Sequence, residues 1–232
     1  MAVISGGWAR RVFHPGRPVG CTRTRSTTFI LLDERKAQLL KAAGLTGVMV
    51  GLDHYDAERH DRFRGRAGAF DGAIRAVLSA KAAGLAVSLS LCITRDFATA
   101  ESLRRYLNLA CQLGVTFVQF LEPRAAGRYA GQDVELHPEQ LQLLDEFYLR
   151  YNSDPAFADY PIINYLGYHQ RRMGCFGAGN RFLYIDTDGD AQRCPFCQGK
   201  VASLLEFSME DIVGLLQQRG CQAFETVRMA GS

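Results

Sequence analysis

The chain lacks any apolar run near the ~20 residues that a membrane-spanning helix needs, which excludes a helical membrane protein. It lacks internal repeats and low-complexity tracts, so it is no repeat array. It has little net charge. Its 27 Lys and Arg against 24 Asp and Glu leave +3, too small a balance to argue for nucleic acid. No acid occurs in the first 32 residues, which hold Arg10, Arg11, Arg17, Arg23 and Arg25. No Ser–His–Asp or paired-carboxylate arrangement can be assembled from spacing alone. The seven cysteines are an odd number, so complete disulfide pairing is excluded.

What is present suits a soluble α/β protein. The 232 residues are enough for one core and a small appended module. From residue 33 helix and strand patterns alternate. "DERKAQLLKAAG", "GAFDGAIRAVLSAKAAG" and "ATAESLRRYLNLACQLG" read as helices ending in Gly. Each leads into an apolar run: "TGVMVGLD", "LAVSLSLCIT" and "VTFVQFLEP". Near-continuous apolar strands after Gly-capped helices are the mark of a parallel sheet. Three to four strands can be counted, and "HPEQLQLLDEFYLRYN" gives a fourth helix. A full barrel needs ~250 residues, so the expectation is an open layer or part of a barrel. "NSDPAFADYP" marks a boundary. Beyond it, "RFLYIDTDGDAQRCPFC" reads as a hairpin with an Asp-Gly turn, and "SMEDIVGLLQQRG" as a closing helix with Ser208 as N-cap.

Four cysteines lie in this last part: Cys175, Cys194, Cys197 and Cys221. A C-x2-C pair on a tight turn points two thiolates at one centre. Two distant cysteines can complete a four-sulfur shell for an iron–sulfur cluster or a zinc ion. Such clustering favours a metal in a reducing cytoplasm over a disulfide framework. Cys92 and Cys111 read as small core residues, and Cys21 has no visible partner. The first stretch also fits C-x13-G-x4-C, with Gly189 in the turn. That pattern resembles the auxiliary-cluster domain, of SPASM or twitch type, attached to radical S-adenosylmethionine enzymes.

The middle of the chain resembles the second half of that family's partial barrel. The segment "ERKAQLLKAAGLTGVMVGLDHYDAERHDRFRGRAGAFDGAIRAVLSAKAAGLAVSLSLCIT" has a helix ending "aGl", a strand ending in Asp, an "HDxxRG…F" loop, a helix and a strand. "VTFVQFLEPRAAGR" is similar to the later strand and its "P…GR" loop. The resemblance covers about residues 27–222. It implies a partial (β/α) barrel with a small C-terminal cysteine-rich hairpin and helix module. It also implies an auxiliary [4Fe–4S] cluster on Cys175, Cys194, Cys197 and Cys221. It places S-adenosylmethionine near Ser5, Gly6, Gly7 and Asp53. An intact relative generates a 5′-deoxyadenosyl radical that abstracts hydrogen from a peptide, protein or small-molecule substrate. A ferredoxin or flavodoxin is the redox partner this implies.

The chain departs from the family in two places. No C-x3-C-x2-C loop exists, and "ISGGWARR" has Trp8 where a Gly-Gly-Glu segment would place Glu. The domains expected are an aberrant basic segment over 1–26, the partial barrel over 27–155 and the cluster domain over 160–225. Two readings fit residues 8–26: a locally shifted reading frame in a truncated product, or an Arg-rich targeting peptide. The chain is expected to be inactive alone. The alternative is a non-catalytic iron–sulfur or zinc binding module. Asp53 ends a strand, where α/β folds place ligand contacts, or else is a solvated loop carboxylate. His60 and Asp61 are expected in a structural loop. Arg64 is expected to pair with a ligand carboxylate or with Asp61 or Asp56. Glu122, Arg124 and Arg128 follow another strand end and face substrate or solvent. Gly177 and Gly179 are read as backbone room beside a cluster.

Overall fold

The computed structural model describes residues 24–27, 31–174, 177–180, 182–196 and 199–219. They fall into two compact units. One runs to Pro123 and resumes over Leu136–Tyr165, and the other holds Arg124–Glu135 and the residues from Leu166 on.

The first unit is a five-stranded parallel sheet in sequential order. Its strands are β1 (Thr24–Thr27), β2 (Gly47–Gly51), β3 (Ala86–Cys92), β4 (Phe117–Leu121) and β5 (Ile162–Tyr165). Between them lie α1 (Glu34–Ala42), α2 (Ala57–Arg64), α3 (Ala69–Ala82), α4 (Ala100–Leu113) and α5 (Pro138–Ser153). Sequential order without closure, among the described residues, gives the partial α/β barrel expected from the sequence.

Local chemistry sets the helix limits. The Asp33 carboxylate accepts from Lys36 N at 2.8 Å and starts α1. Thr99 caps α4 in the same way, and Gly114 ends it in the left-handed conformation. Pro138 opens α5, where its missing N–H costs nothing.

The sheet has two unlike faces. Val48, Val50, Val87, Leu89, Leu91, Val118, Phe120, Ile163 and Tyr165 alternate onto one face and are buried. Each wholly buried Val or Leu there contributes about 1.5–3 kcal/mol. The opposite face carries Ser88, Ser90, Cys92, Gln119 and Asn164, with part-exposed Phe117, Leu121 and Ile162.

Two expectations are corrected. The sheet has a further strand, β5, which lies past the boundary read from "NSDPAFADYP" and pairs parallel with β4. The "HDxxRG" segment is not a loop but helix α2.

The second unit contains α6 (Leu166–Met173), β6 (Tyr184–Ile185), β7 (Asp190–Gln192), β8 (Ala202–Ser203) and α7 (Met209–Arg219). The expected hairpin is β6–β7, antiparallel, with β8 added. The Asp186 carboxylate accepts from the backbone N–H of Asp188 and Asp190, and Gly189 turns at φ 84°. Ser208 Oγ accepts from Asp211 N at 3.1 Å and starts α7 as read. Among the described residues, Ala191, Ala202, Ile212 and Leu216 form a small buried core, with Leu183, Ile185, Val201 and Leu215 packed against it. A core this small needs a staple. Gly179, at φ 80°, brings its turn against α7: a Cβ there would lie 3.0 Å from Val213 O. The backbone room read at Gly179 is thus used by α7.

Candidate functional site

The carboxyl end of β2 is where the sheet presents chemistry. Asp53 follows the strand and is buried, not a solvated loop carboxylate. Four hydrogen bonds fix this end. Leu52 N donates to Ser90 O at 3.0 Å. Leu52 O accepts from the Tyr106 hydroxyl of α4 at 2.7 Å. Asp53 N donates to His60 Nδ1 at 3.0 Å. Asp53 Oδ1 accepts from Cys92 N at 3.0 Å. Asp53 Oδ2 forms an ion pair with Arg64 Nη2 at 2.5 Å. Apart from this ion pair, the buried Oδ2 and the buried Arg64 Nε make no hydrogen bond. Burial raises the Asp53 carboxyl above its usual range, while Arg64 and the Cys92 N–H pull it back.

Each position of the α2 segment has a task. Asp56 caps the helix by accepting from Arg59 N at 2.9 Å. His60 is the helix's one buried residue and holds the Asp53 backbone. The Asp61 carboxylate accepts from Gly68 N and Phe70 N, so it starts α3 rather than meeting Arg64. Gly65 ends α2 at φ 63°. Phe70 sets its ring edge-to-face with His60 at 6.0 Å.

A cleft of about 440 Å³ opens beside Asp53, lined by His54, Arg59, Phe63, Cys92 and Phe97 among others. His54 Nδ1 accepts from Asp56 N at 2.8 Å, and its ring meets Phe97 edge-on. Cys92 is half-buried and borders the cleft, which corrects its reading as a core residue. Burial, then Asp53, pushes its thiol up to about 11, so it is no thiolate nucleophile at neutral pH. Cys111 is also only half-buried, with Sγ 3.5 Å from Asp159 O. A buried carboxylate beside aromatic walls suits a ligand with a hydroxyl and a flat ring.

The other predicted residues are scattered. Glu122 accepts from the Tyr165 hydroxyl at 2.6 Å. Arg124, in the second unit, pairs with Glu135 at 3.6 Å. Cys194 is buried just after β7. Ser5, Gly6, Gly7, Cys175, Cys197 and Cys221, the Arg128 side chain and all of the segment read as aberrant except 24–26 lie outside the described residues. Among the described residues no group of three or more metal-binding side chains comes together. No described helix is long and apolar enough to cross a membrane. Sequence reasoning missed Tyr106, which no local signal marks, and the Arg64–Asp53 pair.

His60 yields a pH prediction. Burial, with Arg64 adding to it, lowers His60 from 6.5 to about 4. The fold therefore prefers neutral His60, as an acceptor from Asp53 N must be. This contribution is complete above pH 6.5 and is lost as pH falls from 6.5 to 4, about 2–3 kcal/mol in all. Asp53, being raised, acts in the opposite sense from its unfolded value of 3.8 upward. Urea midpoints between pH 7 and pH 4 should fall more steeply for the parent than for His60→Gln. Equal slopes would remove His60 from this role.

No protein-family model matches the chain. Mycofactocin maturase MftC of Mycobacterium tuberculosis is 32% identical over 178 residues, 74% of this chain and 44% of the relative. PqqA peptide cyclase of Granulibacter bethesdensis is 27% identical over 87% of this chain and 54% of its own length. AdoMet-dependent heme synthase of Nitratidesulfovibrio vulgaris is 26% identical over 72% and 51%. Among solved structures, anSMEcpe with bound AdoMet and Kp18Cys peptide superposes with TM-score 0.62 at 16% identity, over 86% of this chain and 59% of that one. Streptococcus suis SuiB bound to precursor peptide SuiA gives 0.63 at 13%, over 82% and 47%. The chain is thus a relative, in sequence and in fold, of the radical S-adenosylmethionine enzymes, and it spans about half the length of the curated relatives it matches.

Proposed function

We propose that the chain carries the later part of a radical S-adenosylmethionine barrel followed by an auxiliary-cluster module. The observation that carries this reading is the β2 end. A buried Asp53 whose Oδ2 makes no hydrogen bond beyond its ion pair lies beside an aromatic cleft, in a chain similar to an AdoMet-dependent heme synthase. In this reading Asp53 Oδ2 accepts from a nucleoside hydroxyl and Phe97 with His54 walls the ring. S-adenosylmethionine held here would supply a 5′-deoxyadenosyl radical once reduced by an open-iron cluster, for which this sequence has no C-x3-C-x2-C loop. Asp53 and the cleft orient the nucleoside and exclude water. The substrate class is a peptide, as the name of the PqqA peptide cyclase relative gives for that protein.

Cys194, buried at the end of β7, is the described member of the proposed cluster shell. The residue types fit a [4Fe–4S] cluster: Cys175, Cys194, Cys197 and Cys221 are four thiolates. Ligation of every iron would leave no open site, so this cluster stores or passes electrons, or staples the small core. In this reading the chain works in the cytoplasm with a ferredoxin or flavodoxin as electron donor.

The sequence contains no C-x3-C-x2-C, and that favours a second reading, a non-catalytic iron–sulfur or zinc module. The test is mass spectrometry for 5′-deoxyadenosine under strong reduction. The chain alone should yield none. Product dependent on this chain would overturn the view that it is inactive alone. The encoding DNA separates the readings: C-x3-C-x2-C and Gly-Gly-Glu upstream or in another frame support the enzyme, and their absence supports the module.

A further inference from the structure

Gly51 and Arg64 form a pair that the sequence does not announce. Gly51 is the last residue of β2, and its φ needs no glycine. What needs glycine is space. A Cβ at position 51 would collide with Arg64 Nη2 and lie 3.2 Å from Arg64 Cζ. The guanidinium lies against Gly51 and reaches the Asp53 carboxylate. A side chain at 51 would therefore displace the Arg64 guanidinium from the place it holds on Asp53.

We propose that Arg64 is the positioning residue of the Asp53 site and that Gly51 is the opening that admits it. Arg64 opposes the burial that raises the Asp53 carboxyl and holds one edge of the carboxylate in place. The Cys92 N–H takes Oδ1, and Arg64 sits on Oδ2 without using all of its accepting capacity. Arg64 Nε, also without a partner, lies on the same guanidinium. Arg64 does not line the cleft, so the polar group this arrangement offers a ligand hydroxyl is the Asp53 carboxylate, as an acceptor. The inference about the hydroxyl rests on the nucleoside reading above. The Gly51–Arg64–Asp53 linkage does not.

The groups that act on Asp53 come from three elements: His60 and Arg64 of α2, Cys92 of β3 and Tyr106 of α4. His60 and Tyr106 are neutral at pH 7, and so is the Cys92 thiol. Arg64 is the cation in direct contact. Removing it leaves burial unopposed by a charge.

The experiment is a titration of the Asp53 carboxyl carbon by NMR in the full chain, assigned with Asp53→Asn. In Arg64→Met the midpoint should rise by about one pH unit or more. Gly51→Ala should raise it equally, and Gly51→Ala with Arg64→Met should go no further. Arg64→Lys should fall between parent and Arg64→Met. A Gly51→Ala variant that keeps the parent midpoint overturns the linkage, as does an unchanged midpoint in Arg64→Met. Should Gly51→Ala fail to fold, Arg64→Lys decides: a midpoint equal to that of Arg64→Met shows that no cation at 64 is placed to act. Adenosine binding by calorimetry is the second arm, with a loss of about tenfold expected in Arg64→Met. Adenosine that binds no form, with the titrations as expected, sinks the nucleoside reading and leaves Arg64 as the positioning residue.

Discussion

Prepared anaerobically with iron and sulfide, the chain should be brown and carry about four irons. The expected shell is Cys175, Cys194, Cys197 and Cys221. Cys194→Ala should abolish the colour, because three thiolates hold such a cluster poorly and Cys194 sits buried at the end of β7. Cys197→Ala should do the same. Cys21→Ala and Cys92→Ala should not. The effect extends to stability. Among the described residues the core of this unit is four buried residues with four partly buried ones packed on them, a small core that a cross-link would strengthen. Loss of the cluster should therefore expose α7 and the hairpin to protease while the parallel sheet resists. A colourless protein with one tightly held zinc would sink the cluster assignment and leave the module reading standing.

Tyr106→Ala should destabilise the sheet unit by about 3–5 kcal/mol, the cost of deleting a large buried side chain. Tyr106 is wholly buried, and its ring meets Phe97 edge-to-face at 6.0 Å. Its hydroxyl is the donor to Leu52 O, so the variant also orphans a carbonyl at the β2 end. A domain is stable by only about 5–15 kcal/mol, so this variant should lie close to unfolding. Tyr106→Phe separates the two causes. It keeps the ring, loses the donor and should cost about 1–3 kcal/mol. Urea denaturation of both variants is the check. If Tyr106→Phe equals the parent, the hydroxyl contributes nothing to the β2 end.

Cys194 and Asp53 were named from the sequence, while Tyr106 and the partner of Arg64 were not. The difference is one of range. α1, α3 and α4 were readable because their terminal glycines act within a few residues of themselves, and α5 because its helical pattern is local. β2, β3 and β4 were readable because buried parallel strands are continuously apolar. β5 was hidden because its four residues leave Ile162 and Asn164 exposed and follow a Pro-marked boundary. Helix α2 was hidden because "AERHDRFR" shows no apolar stripe, His60 alone being buried.

By itself, then, the sequence determined the α/β class, the order of helices and strands, the relation to the radical S-adenosylmethionine enzymes and Asp53 as a strand-end carboxylate. Those follow from local propensity, periodicity and motif order. The tertiary structure alone decided what Asp53 is bonded to. Asp56 and Asp61 are nearer to Arg64 along the chain, yet Asp56 caps α2 and Asp61 caps α3. Helix α2 folds back over the end of β2, and the guanidinium lies against Gly51 and reaches Asp53. Tyr106, 54 residues from Leu52, closes the same site from α4. Such partners are set by packing between elements distant in sequence, and no spacing rule within one segment encodes them.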